Sequence, residues 1–148
     1  MSRVFVTSIT ELCRADHGDD PEIIAQWTAN KTPDDMRQWL QQPGVTMLVA
    51  DEDDSIACVG GFSGAQIMTL YVAPEARFRG VSGAMLRHME RAMLDGGVTT
   101  GKLTSTGTAH RFYLARGWRD SGPPDSHFGV VGFPMSKDLR APEAHSNA

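Results

Sequence analysis

The chain has 148 residues, of which 41% are hydrophobic and 22% are charged, and its formal net charge at pH 7 is −4. This length supports one compact domain with a buried core and excludes two full-sized domains. The negative charge argues against a nucleic-acid partner, because such a field repels polyanions. The only two cysteines, Cys13 and Cys58, fit neither a disulfide framework nor a zinc site, which indicates a reducing cytoplasm.

The first residues predict a strand followed by a helix. The apolar run from Val4 to Val6 is too short for the core of a signal peptide or for a membrane span, so we expect a soluble, cytoplasmic protein without a membrane partner. The alternation in RVFV, residues 3–6, indicates a short strand. Ser8 and Glu11 form the S-x-x-E pattern of a capping box, which predicts the start of a brief helix.

Two more helices are predicted next, each with its own start signal. Asp20 and Thr32 are capping residues, and each precedes a proline at the first helical position, where the missing N–H costs nothing. From Val45 the pattern changes to that of strands separated by turn signals. The sequence therefore predicts an antiparallel meander at residues 45–52, 55–62 and 66–73.

The second half of the chain begins at Pro74, which ends the third of these strands. From Gly80 the apolar positions recur at helical spacing until Gly96 and Gly97. The remaining segments are predicted as a strand at 102–105, a helix about 109–116 that ends at Gly117, a loop through Pro123 and Pro124, and a last strand at 129–135. If exposed, that last strand could pair across a homodimer.

The segment RFRGVSGA, residues 77–84, lies where a strand gives way to a helix. Glycines at such a turn leave main-chain N–H groups open to a ligand at the positive end of the helix dipole. Arg77 and Arg79 add positive charge. This arrangement is typical of an anion site and best suited to phosphate, so it predicts a pyrophosphate cradle. An ordinary helix entrance with exposed arginines would explain the same residues.

Other kinds of site have less support. The stretch GVSGA, residues 80–84, is one residue away from the G-x-S-x-G elbow of a hydrolase, but that fold needs a larger parallel sheet. The sequence contains no G-x-x-x-x-G-K-[ST] pattern, which excludes a P-loop. Its five histidines are scattered without a metal-binding spacing, so no metal site is expected.

Two blocks of the sequence resemble the GNAT superfamily of N-acetyltransferases. The block at 71–86 is similar to the acyl-CoA signature Q/R-x-x-G-x-G/A after a strand: Arg77 takes the first place, Gly80 the middle one, and Ser82 stands where glycine or alanine is usual. The block at 103–118 resembles the downstream pattern A-x-x-F-Y-x-x-x-G-F/W. Their order and separation make the resemblance specific, and it covers nearly the whole chain.

The resemblance implies an α/β (α+β mixed) fold of the GNAT type. Its central sheet is mixed, mostly antiparallel and twisted, with about six to seven strands flanked by about four helices. A single acyl-CoA N-acyltransferase domain would span residues 1–140, with a disordered tail at 141–148. The implied reaction transfers an acetyl group from acetyl-CoA to a primary amine of a small molecule or peptide, without a metal.

The resemblance also implies site residues. The pantetheine arm would follow the strand at 66–73 and contact main-chain groups of Leu70, Tyr71 and Val72. Tyr113 matches the family's tyrosine and would act as the general acid that protonates the departing thiolate. The pyrophosphate would bind along the cradle, at Arg77, Phe78, Arg79, Gly80, Val81, Ser82, Gly83 and Ala84.

The general base stays open. Gln66 stands where several relatives carry a glutamate, and it cannot usefully accept a proton. Trp27 and Trp39 could form a wall of the acceptor pocket, but amphipathic helices commonly bury tryptophan. A water chain could remove the proton. So could one of three carboxylates for which helix capping is the simpler explanation, namely those of Glu22, Asp34 and Asp35.

A second interpretation keeps the predicted fold but not the predicted acetyl transfer. Since Gln66 occupies the place of a base, the protein could be a non-catalytic domain that binds or senses acyl-CoA. Turnover of acetyl-CoA with an amine distinguishes the two readings.

Overall fold

The computed structural model describes residues 1–127 and 129–140, and the predicted tail at 141–148 lies outside the described residues. The described chain forms a mixed α/β fold built on a seven-stranded sheet, which confirms the predicted fold class. The α-helices are α1 (Ser2–Leu12), α2 (Arg14–His17), α3 (Pro21–Thr28), α4 (Pro33–Gln41), α5 (Val81–Asp95) and α6 (Gly107–Leu114). The strands are β1 (Val45–Glu52), β2 (Ser55–Ser63), β3 (Gln66–Val72), β4 (Thr100–Ser105), β5 (Arg119–Asp120), β6 (Asp125–His127) and β7 (Val130–Asp138).

The prediction for the first segment is wrong, because residues 3–6 lie in helix α1 and not in a strand. The buried side chains of α1 are Val4, Phe5, Ser8 and Ile9, which share one face at helical spacing. Four alternating residues were too few to distinguish a strand from this stripe. The capping box predicted at Ser8 is wrong as well, since Ser8 lies within α1 and is buried.

The starts of α3 and α4 confirm the capping predictions. Asp20 Oδ1 accepts a hydrogen bond from the Glu22 N–H at 2.9 Å. Thr32 and Asp35 form a reciprocal capping box, in which the Asp35 N–H donates to Thr32 Oγ1 at 3.1 Å. These bonds satisfy helix N–H groups that have no partner within their own helix.

The sheet has the order β1-β2-β3-β4-β7-β5, and β6 also pairs with β7. The first three strands form the predicted antiparallel meander. β3 and β4 are parallel, and they pair at a single position, Gln66 opposite Lys102. Beyond Gln66 the two strands diverge, and this opening locates the site described below.

The last strand differs from its prediction. β7 continues to Asp138 and lies between β4 on one side and β5 and β6 on the other, so it is not an exposed edge. The segment predicted as a loop through Pro123 and Pro124 is flanked by the short strands β5 and β6. The predicted homodimer depended on an exposed last strand, and β7 does not provide one.

Helices cover both faces of the sheet. On one face α5 buries Met85, Leu86, Met89 and Met93, and a Cβ added at Gly60 in β2 would lie 2.9 Å from Met89 Sδ. On the other face α1, α3 and α4 form two smaller clusters. Among the helices of residues 1–127 and 129–140, none is long and apolar enough to cross a membrane.

A buried polar network joins α5 to the C-terminal half of the sheet. Lys137 Nζ of β7 lies 2.8 Å from Glu90 Oε1 of α5, and their side chains are only 4% and 11% exposed. Lys137 Nζ also donates to the Arg116 carbonyl oxygen at 2.8 Å. The second oxygen of Glu90 accepts from Trp118 Nε1 at 3.0 Å. The network therefore fixes the chain segment that follows α6.

Candidate active site

A cavity of about 390 Å³ lies where β3 and β4 diverge. Its lining comes from β3 and β4, from the N-terminal turn of α5, from α6, and from the end of α1. Because β3 has β2 on one side and pairs with β4 at Gln66 alone, the side of β3 that faces the cavity has lost its strand partner. Such an edge can bind an extended ligand by strand addition.

Helix α5 begins at one end of this cavity without a side-chain cap among the described residues. Its N-cap is Gly80, with φ of 78°, and a Cβ at that position would meet open space. The first N–H groups of the helix therefore carry the positive end of the helix dipole toward the cavity. Val81, Ser82 and Gly83 line the cavity beside them.

Arg116 is a site residue that the sequence analysis missed. It follows α6 and lines the cavity beside the start of α5, where a Cβ added at Gly83 would lie 3.1 Å from Arg116 Nη2. The Arg116 guanidinium carbon lies 3.9 Å from the centroid of the Phe112 ring, and Nη1 donates to the Phe112 carbonyl oxygen at 3.0 Å. Its Nε is buried and has no hydrogen-bond partner within the described chain.

Of the predicted cradle, the structure brings six residues to the cavity: Arg77, Phe78, Gly80, Val81, Ser82 and Gly83. Arg79 lies elsewhere, since its guanidinium pairs with Glu52 at 2.5 Å and donates to the Glu75 carbonyl oxygen at 3.0 Å. Ala84 is one turn into α5, and its N–H already donates to the Gly80 carbonyl oxygen. Ligand contacts of Arg79 and Ala84 stay predictions, and the structure gives both groups other partners.

Tyr113 of α6 lines the cavity, as do the predicted strand residues Leu70, Tyr71 and Val72. The Tyr113 side chain packs against Phe112 and Trp118, with ring centroids 5.2 Å and 6.1 Å apart. Burial raises the pKa of Tyr113 well above its usual value. The phenol is therefore protonated at neutral pH.

A second part of the cavity lining comes from α1 and the residue that follows it. Ser8, Leu12 and Cys13 line it, and burial raises the pKa of the Cys13 thiol to about 12. Thr69 of β3 also lines the cavity, and its buried Oγ1 has no hydrogen-bond partner in the described residues. Ser8, Cys13 and Thr69 therefore offer hydroxyl and thiol groups to a bound molecule.

Asp16 of α2 forms hydrogen bonds with the start of α6. Asp16 Oδ1 accepts from the Gly107 N–H at 2.7 Å, and Oδ2 accepts from the Thr108 N–H at 3.2 Å and from the Thr108 hydroxyl. Thr106 is the N-cap of the same helix, and its Oγ1 accepts from the Ala109 N–H at 3.2 Å. The start of α6 therefore has two capping side chains, one of them from α2.

The carboxylates considered as general bases lie in the first turns of α3 and α4. Asp35 belongs to the capping box of α4, Asp34 pairs with Arg37, and Glu22 is exposed in the first turn of α3. Gln66 is exposed, and its Nε2 donates to the Ile67 carbonyl oxygen at 3.4 Å. The lining residues include none of these side chains, so their role as a base stays a prediction without support.

The two tryptophans considered for the acceptor pocket are not among the lining residues: Trp27 is buried in the core and Trp39 is partly buried. Trp27 is buried with Ile9, Cys13 and Val130, and Trp39 packs edge-on against Phe5 at 5.7 Å between ring centroids. The buried histidine, His17, accepts from the Asp19 N–H through Nδ1 at 2.9 Å and contacts the Ile9 carbonyl oxygen through Nε2 at 2.8 Å. Within the described part of the chain, no group of histidine, cysteine and carboxylate side chains could hold a metal ion.

The cavity between the diverging strands β3 and β4 thus has the N-terminal turn of α5, Arg77 and Arg116 in its lining. The chain belongs to the GNAT acetyltransferase family: residues 14–139 match the model of the acetyltransferase (GNAT) domain. The resemblance inferred from the two sequence blocks is thereby confirmed.

Solved structures show the same fold. A GCN5-related N-acetyltransferase from Rhodopseudomonas palustris superposes with a TM-score of 0.80 at 21% identity, over 93% of this chain and 86% of that chain. The PaiA N-acetyltransferase from Thermoplasma acidophilum, solved in complex with coenzyme A, gives 0.73 at 16% identity over 93% and 92%. The IAA acetyltransferase from Bacillus cereus gives 0.58 at 15% identity over 86% and 89%. No protein of curated function matches the sequence.

Proposed function

We propose that this protein is an N-acetyltransferase that transfers an acetyl group from acetyl-CoA to a primary amine of a small molecule or peptide. The observation that carries the proposal is the cavity between β3 and β4, whose lining includes the start of α5, which has no side-chain cap among the described residues, and also Arg77 and Arg116. A structural neighbour with the same fold binds coenzyme A, which supports this choice of co-substrate.

The residues present fit two parts of coenzyme A, its diphosphate and its pantetheine arm. Its diphosphate would lie at the N-terminus of α5, where Arg77 and Arg116 both line the cavity. The unpartnered Nε of Arg116 is a buried donor that such an anion would satisfy. The amide groups of the pantetheine arm would pair with the main chain of Leu70, Tyr71 and Val72 on the open side of β3.

Acetyl-CoA supplies an activated acyl group in its thioester. In the transfer, the amine nitrogen forms a bond to the acetyl carbon, the carbon–sulfur bond breaks, and the electron pair of that bond leaves with the sulfur. Tyr113 donates its phenolic proton to the sulfur, and the excess proton of the amine leaves through water, which returns a proton to Tyr113. The part of the cavity lined by Ser8, Cys13 and Thr69 is where the acceptor would bind.

The experiment that tests this function measures release of free thiol from acetyl-CoA in the presence of aliphatic, aromatic and peptide α-amines. We expect release with at least one of these amines, and an acetylated product in the mass spectrum. Binding of coenzyme A without turnover on any amine would favour the acyl-CoA-sensing alternative. A protein that binds no coenzyme A would contradict both readings.

A further prediction concerns Arg116. Replacing it with glutamine should weaken binding of coenzyme A about tenfold, because a charged hydrogen bond to phosphate is lost. The matched control is Arg111→Gln on α6, since Arg111 is exposed and does not line the cavity. Isothermal titration calorimetry gives both dissociation constants. Equal values for the two variants would show that Arg116 does not bind the co-substrate.

A further inference from the structure

Phe78 is a large aromatic residue that the fold places in an unfavourable position. Its side chain is 89% exposed to solvent. Its backbone φ is 65°, in the left-handed region that glycine adopts readily and that residues with a Cβ disfavour. Strained backbone conformations of this kind cluster at active sites and ligand-binding sites. The exposed ring and the strained backbone both indicate a binding role for this side chain.

The ring lies at the phosphate end of the cavity. Phe78 lines this end together with Arg77, Gly80 and Ser82. The guanidinium carbon of Arg77 lies 4.5 Å from the centroid of the Phe78 ring, which is a cation–π contact that helps to orient the ring. Because so much of the side chain stays exposed, the ring is available to a flat group that extends out of the cavity beyond the phosphates.

Coenzyme A carries such a group, since its diphosphate continues into an adenosine. Aromatic side chains stack on nucleobases through the π-face that every base has. We propose that the Phe78 ring stacks on the adenine of bound coenzyme A and so selects a carrier that ends in a purine. This inference rests on the proposed function, and it adds a binding residue for the part of the molecule that lies outside the cavity.

The experiment compares two ligands on three proteins. Isothermal titration calorimetry measures the binding of coenzyme A and of 4′-phosphopantetheine to the wild type, Phe78→Asn and Phe78→Trp. 4′-Phosphopantetheine lacks the adenosine together with its 3′-phosphate and one phosphate of the diphosphate. Asparagine tolerates the left-handed backbone and has no ring, whereas tryptophan keeps an aromatic face. We expect Phe78→Asn to bind coenzyme A roughly 5- to 150-fold more weakly, with unchanged affinity for 4′-phosphopantetheine. Phe78→Trp should bind coenzyme A at least as well as Phe78→Asn does.

A second readout reports the stack directly. In proton NMR spectra of bound coenzyme A, the adenine H2 and H8 resonances should lie further upfield with the wild type than with Phe78→Asn, because a stacked ring shields them. Identical adenine shifts would contradict stacking.

The outcomes separate this inference from the proposed function. If the wild type binds coenzyme A and Phe78→Asn binds it equally well, stacking is wrong and the proposed function stands. If Phe78→Asn weakens both ligands equally, the residue acts by shaping the loop, and stacking is again wrong. If the wild type does not bind coenzyme A, the proposed function fails together with the inference.

Discussion

Replacing Tyr113 with phenylalanine should lower kcat for acetyl transfer about 100-fold or more and leave the affinity for coenzyme A nearly unchanged. The phenol lines the cavity, and burial keeps its pKa far above neutral, so the wild type holds a proton that phenylalanine cannot supply. Thiol release under saturating acetyl-CoA measures kcat, and calorimetry measures the affinity. The substitution retains the aromatic ring, so the packing against Phe112 and Trp118 is kept.

The matched comparison is Tyr71→Phe. Tyr71 also lines the cavity, and burial raises its pKa as well, but its hydroxyl hydrogen-bonds with the Trp27 side chain. We expect a smaller loss of kcat from this variant, because the role proposed for Tyr71 uses its main chain and not its hydroxyl. If Tyr113→Phe retains the wild-type kcat, the assignment of the general acid is wrong. If Tyr113→Phe and Tyr71→Phe lower kcat by the same factor, the assignment of Tyr113 as the general acid has no support either.

Replacing Lys137 with alanine should lower the free energy of unfolding by about 3–5 kcal/mol, because the Glu90 carboxylate would stay buried without its counter-charge. In the wild type the two groups lie 2.8 Å apart, and both side chains are nearly inaccessible to solvent. The alanine variant also removes the hydrogen bond to the Arg116 carbonyl oxygen. Urea unfolding followed by circular dichroism measures the change.

Two variants show whether the uncompensated charge is the cause. The double variant Lys137→Met with Glu90→Gln should recover much of the lost stability, since no charge stays buried. Arg37→Ala breaks the exposed pair with Asp34 and should move the urea midpoint little, because solvent screens that pair. If the double variant is as unstable as Lys137→Ala, lost packing explains the effect and the charge argument is wrong.

Much of the site could be predicted from the sequence because its parts are local. The cradle at 77–84 is a glycine-containing turn before a helix, and the helix starts at Asp20 and Thr32 need only a capping side chain followed by proline. Tyr113 was found through the family pattern. Each of these features depends on a few neighbouring residues, so the sequence shows them without knowledge of the fold.

The missed features depend on contacts between distant segments. Asp16 reaches the start of α6, which lies 91 residues further along the chain. Arg116 could have been found from its place four residues after Phe112, which puts its guanidinium beside that ring, but only the fold brings it to Gly83. Residues 3–6 were assigned to a strand because four residues show too little of a helical period, and so the α1 residues of the cavity were missed.

Because β3 and β4 pair at a single position, main-chain hydrogen bonds between them do little to fix the width of the cavity that separates them. Because main-chain pairing joins these two strands at so few residues, side-chain packing and side-chain hydrogen bonds connect the two halves of the sheet. These contacts include the Asp16 cap on α6, the Glu90–Lys137 pair and the hydrophobic cluster that contains α5. Natural variation that tunes the cleft for acceptors of different size should therefore accumulate at these remote anchors as well as on the cavity wall.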